Sequence, residues 1–60
     1  RAAMLIRIYQ RLFAYVGDDK NALRHWINTH NRALGARPVD IIATDIGLEQ
    51  VDEYLRTLGA

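Results

Sequence analysis

Hydrophobic positions recur along this chain at helical spacing, in stretches separated by glycine, acid and proline signals. The first stretch runs from about Ala2 to Val16. At 100° per residue Met4, Leu5, Ile8, Tyr9, Leu12, Phe13, Tyr15 and Val16, with Ile6 counted, cover an arc of roughly 200°. Arg7, Gln10 and Arg11 fill what remains. A surface helix needs an apolar stripe of little more than ~100°, so this one carries more apolar surface than so short a chain easily covers. Two accounts stand, and they are compatible. The helix is the centre of a small bundle, or one of its sides meets a second chain or another domain.

Gly17 stands where a left-handed residue closes a helix. Asp18 or Asp19 then caps the next one, with acid at the positive end of its dipole. That second helix is expected over about Lys20 to Asn28, with Ala22, Leu23, Trp26 and Ile27 on one side. Thr29 or Asn31 caps a short turn through Ala33 and Leu34 that Gly35 closes. Pro38 fits a first helical position, because its φ is already helical and its missing N–H is not needed there. Val39, Ile41 and Ile42 give this short helix its buried side, although β-branched residues hold a helix weakly. Thr44 or Asp45 caps the last helix, expected from about Ile46 to Leu58, with Leu48, Val51, Leu55 and Leu58 as its apolar positions. Gly59 follows as its closing residue. No run reads as a strand, since Pro38 and the caps turn the β-rich 39–43 segment toward helix. The pattern predicts an all-α fold, a small bundle of four to five short helices. Its core is expected at Leu5, Ile8, Leu12, Leu23, Trp26, Ile41, Val51 and Leu55.

Composition narrows the picture. Sixty residues and 6.9 kDa make a single domain. A chain of this size buries only about 60% of its unfolded surface, and its core supplies ~3–5 kcal/mol unless a partner shares it. There is no cysteine, which fits a reducing compartment. The run Ala2 to Ile6 falls far short of the roughly 20 apolar residues of a membrane span. It continues into Arg7 and Arg11 rather than into a cleavable leader. The chain opens on Arg1 rather than Met, so it is expected to be part of a longer protein. Charge is uneven: residues 1–37 hold seven basic and two acidic side chains, a balance of +5, and residues 38–60 hold one and five, a balance of −4. A basic half is one mark of nucleic-acid binding. Here the cations stand singly over successive turns, which suits a solvated face, and the acidic half argues against DNA binding.

Catalytic chemistry is thin. Serine is absent, and the four glycines are isolated near helix ends rather than gathered in a phosphate loop. His25 and His30 lie about 140° apart around a helix, so they cannot share a metal from one face, and no HExxH occurs. Asp18 and Asp19 are adjacent and suit capping better than paired acid–base work. Neither an enzyme nor a cofactor or metal site is expected. Trp26 suits core packing, with its indole N–H needing a partner, and is alternatively an interface anchor. The side chains with a functional reading lie near the end of the chain: Tyr54, Arg56, Leu58, Gly59 and Ala60, with Arg37 ahead of Pro38. Tyr and Arg are favoured at interface centres, although a solvated C-terminal turn accounts for them equally well.

From Gly17 onward the order is Gly17-Asp18, Ala22, Leu23, Trp26-Ile27, Asn31, Leu34-Gly35, Pro38 to Thr44, Gly47, Val51 and Leu55. Each element alone is common. In this order and spacing they resemble the C-terminal toxin-binding domain of the Xre/MbcA/ParS antitoxins, and the leading helix is of the right kind for the rest. His30 stands where that family often has proline, Arg37 where a Thr cap is usual, and the tail from Leu55 to Ala60 looks shorter. The resemblance implies a domain that binds and blocks a RES-domain toxin, an enzyme that degrades NAD⁺, in the bacterial cytoplasm. It implies a homodimeric antitoxin whose separate N-terminal helix-turn-helix domain binds operator DNA. On that reading the last helix and tail contact the toxin through Arg37, Tyr54, Arg56, Leu58, Gly59 and Ala60. The face of the first helix with Met4, Ile6, Tyr9 and Phe13 is left for a dimer mate or the N-terminal domain. Two rivals remain: a dimerisation domain of a helix-turn-helix regulator with no toxin, and direct DNA binding by the basic half.

Overall fold

The computed structural model describes residues 2–59, with four helices and no strand among them: α1 (Ala2–Val16), α2 (Lys20–Asn28), α3 (Pro38–Ile41) and α4 (Asp45–Thr57). Each boundary has a chemical cause. Gly17 takes φ +79°, a left-handed conformation that a residue without Cβ adopts freely, and α1 stops there. Of the two candidate acids Asp19 is the cap of α2, its Oδ1 accepting from the N–H groups of Asn21 at 2.9 Å and Ala22 at 3.3 Å. Thr44 caps α4, its Oγ1 accepting from Gly47 N–H at 3.0 Å. Asp45 is thereby left inside the first turn, where its charge meets the positive end of the helix. The turn between α2 and α3 is closed rather than helical. Asn31 Oδ1 accepts from the N–H groups of Ala33 and Leu34, its carbonyl accepts from Gly35, and Asn31 pairs with Ala36 in an isolated bridge.

α1 and α4 make the principal contact. α2 lies against α1 and α3, and α3 against α4. Ile8 and Leu12 of α1 meet Leu48, Val51 and Leu55 of α4 in a fully enclosed core. Leu5, Leu23, Trp26 and Ile41 pack around that cluster half-buried instead of inside it, whereas Leu48 is enclosed. A bundle this small has room for one sealed layer, and everything beyond it borders on solvent. At the edge of the core Arg11 Nε donates to Asp52 Oδ1 at 3.0 Å, holding a carboxylate that is only 8% exposed. Gly47 is the point where α4 passes the end of α3, and a Cβ there would run into the Ile41 carbonyl.

The wide apolar arc of α1 divides between two fates. Ile8 and Leu12 are buried, with Met4 and Leu5 half-buried beside them. Ile6, Tyr9 and Phe13 project outward at 59%, 45% and 43% exposure. The helix is central to the core and also presents an uncovered stripe.

Candidate protein-interaction surface

Tyr15, Val39 and Leu58 are exposed singly, and two further surfaces gather apolar side chains in water. On α1, Ile6, Tyr9 and Phe13 fall within roughly 60° of one another, and their spacing of three and four residues is that of a helix–helix seam. Met4 lies on the opposite side of the helix, packed against the core.

The second surface is the outward face of α4. Leu48, Val51 and Leu55 take the inner side, so Ile46, Glu49, Gln50 and Glu53, at i, i+3, i+4 and i+7, share the outer one. Ile46 is 71% exposed, more than any other large hydrophobic side chain among the described residues. With Leu34 and Tyr54 it lines an open groove of about 450 Å³ between α4 and the Asn31–Ala36 turn. Tyr54 is half-buried and stacks on Trp26, ring centroids 6.5 Å apart and planes at 19°. The stack joins α2 to α4, whose backbones make no close approach. Both charged side chains of the groove, Glu49 and Glu53, are acidic. Arg56 holds Glu53 at 3.3 Å on the exposed surface. Glu49 has no ion-pair partner among the described residues. The same two glutamates border a further groove on the α1 side, where Arg7 and Arg56 stand.

The residues singled out from the sequence thus fall in separate places. Tyr54 lines the groove, and Arg56 faces the α1 side of the Glu49–Glu53 ridge. Arg37 precedes α3 and grips Asp40 through two bonds, Nε to Oδ2 at 2.9 Å and Nη2 to Oδ1 at 3.0 Å. That hydrogen bonding, more than the charge attraction, raises the Arg37 pKa, and it holds the Asp40 carboxyl below the usual carboxylate range. Leu58 is the partly exposed C-cap of α4, Gly59 follows with φ +78°, and Ala60 lies outside the described residues. Sequence reasoning passed over Ile46. Its position about half a turn from the Leu48–Val51–Leu55 side marks it as an outward apolar residue, and a helical projection of α4 exposes it.

His25 and His30 are both exposed. Among the described residues no three His, Asp or Glu side chains gather as metal ligands, and no helix is long and apolar enough to cross a membrane. The sequence profile of the antitoxin Xre/MbcA/ParS C-terminal toxin-binding domain matches residues 11–59. No curated protein and no solved structure gives a significant match to the chain. The matched span contains the whole α4 groove but, of the outward α1 stripe, only Phe13.

Proposed function

The chain belongs to the antitoxin Xre/MbcA/ParS C-terminal toxin-binding domain family, and from that membership we propose that it neutralises a RES-domain toxin by covering the entrance to the toxin's NAD⁺ pocket. The match over residues 11–59 carries the reading. The uncovered outer face of α4 within that span supports it, because a domain that works by occlusion needs apolar surface left free for its partner. α4 and the tail make the contact through Tyr54, Arg56, Leu58, Gly59 and Ala60, with Arg37 beside α3. Occlusion requires a fitted surface and no reactive group, so the domain supplies no catalytic residue and needs no cofactor. The protein acts in the bacterial cytoplasm as a homodimer, and a separate N-terminal helix-turn-helix domain binds the operator. Co-expression of the full-length gene product with the protein encoded beside it tests this, and a RES-domain partner is expected. A complex that survives purification and preserves cellular NAD⁺ is expected, and failure to form any complex overturns the proposal.

A second reading, dimerisation of a helix-turn-helix regulator that has no toxin, is favoured by the outward stripe Ile6, Tyr9 and Phe13. Sedimentation of the full-length protein tests the self-association part of it. A monomer at every concentration eliminates self-association through that face.

A further inference from the structure

We infer that the groove beside α4 seats a cationic amphipathic segment of the toxin. One apolar side chain of that segment lies against Ile46, Leu34 and Tyr54, and flanking lysine or arginine side chains pair with Glu49 and Glu53. The inference rests on the toxin-binding reading above and names the chemistry of the partner at this surface.

Shape, rigidity and charge point the same way. A lone exposed aliphatic residue is ordinary on a protein surface. Ile46, however, stands on the wall of an open groove that also holds Leu34 and Tyr54, so the three form one apolar strip. The strip is prearranged. Tyr54 is held by its stack on Trp26, and Leu34 by the hydrogen bond its N–H donates to Asn31 Oδ1 at 3.2 Å. A surface already ordered loses little conformational freedom when a partner settles on it.

The charge of the walls selects the occupant. Among the described residues Glu49 has no ion-pair partner, and Glu53 has an exposed i,i+3 bond to Arg56, of a kind that contributes little and that a partner's cation readily replaces. The charged side chains lining the groove, Glu49 and Glu53, are both carboxylates, which disfavour nucleic acid and anionic lipid there and favour a cationic protein surface. A second copy docked through this same groove would be related by two-fold symmetry and would bring like carboxylates together. The complementary occupant is a basic stretch of the partner protein.

Calorimetric titration of the full-length antitoxin with the RES-type toxin, at low and at moderate salt, tests the assignment. Ile46→Ala is expected to weaken binding about tenfold, the scale of an interface anchor. Glu49→Lys is expected to weaken it by a similar factor and to flatten its salt dependence. Exchanging a lysine or arginine of the toxin for glutamate should restore affinity to Glu49→Lys alone, a recovery that a merely structural role does not produce. Both substituted side chains are exposed, so thermal melting of the free antitoxin should not move. If the wild type binds and the groove variants bind as tightly, the groove assignment falls while toxin binding stands. If Ile46→Ala lowers self-association of the free antitoxin and leaves toxin affinity unchanged, the occupant is a second copy and the assignment falls. If the wild type binds no toxin, both readings fall together.

Discussion

Arg37 occupies the position before Pro38 where a short polar side chain would cap α3, and it makes no cap bond. It closes instead on Asp40, three residues ahead. Hydrogen bonding to the charged carboxylate lowers its pKa, which fixes the sign of the pH dependence. The folded chain resists protonating Asp40 more than the unfolded chain does. The pair therefore stabilises the fold above the ordinary carboxylate range and loses that contribution as pH falls through the lowered value. Arg37→Ala is expected to raise the Asp40 pKa back toward the ordinary carboxylate range, which carboxyl NMR titration reads directly. No upward movement would show that the pair does not form in solution. Gly47 is a residue of another kind, required for space rather than charge. Gly47→Ala sets a methyl group against the Ile41 carbonyl, and backbone cannot rotate aside. A loss of at least about 1–3 kcal/mol is expected, a large share of the ~3–5 kcal/mol such a domain possesses, read as a lower urea midpoint.

At the scale of the helix, α1 treats neighbouring residues unequally. Leu12 is enclosed against α4 and Phe13 faces outward. Leu12→Ala should cost about 2–5 kcal/mol, enough to unfold the domain. Phe13→Ala should change stability by no more than about 0.5 kcal/mol. Thermal melts followed by circular dichroism measure both. The helices are legible in the residues, and the caps of α2 and α4 to within one position, because glycine, Asp19, Thr44 and Pro38 act locally on the backbone. The division of the α1 arc was not, since it depends on which side α4 approaches. Arg11 and Asp52, 41 positions apart, likewise leave no local trace of their pairing. Trp26, in an apolar i, i+4 set, reads as core, yet it is half-buried and stacked on Tyr54 of α4. Ile46 opens α4 in the sequence pattern, and the groove it lines with Leu34 and Tyr54 depends on where the Asn31–Ala36 turn comes to lie, which no local pattern carries.

For the molecule as a whole, the family span begins at Arg11 and takes in Leu12, two of the residues through which α1 ties itself to α4, with Ile8 ahead of the span as a third. Both halves of α1 thus support the α4 surface, while the first half also contributes most of the outward stripe. The groove and the stripe share no residue, so on the proposed readings a toxin and a second copy do not compete for the same side chains. The double substitution Ile6→Asp with Phe13→Asp is expected to convert a sedimenting dimer to monomer and to leave toxin affinity unchanged. Retention of the dimer would place self-association elsewhere.

The stacked rings also make the domain its own optical reporter. Trp26 is the only tryptophan of these sixty residues, so the indole emission of this domain arises at one place, and the ring it lies against lines the groove. A polypeptide laid there strips water from Tyr54 and shields the indole behind it. The emission maximum should then move toward the blue in proportion to occupancy, which lets docking be followed in real time without attaching a dye.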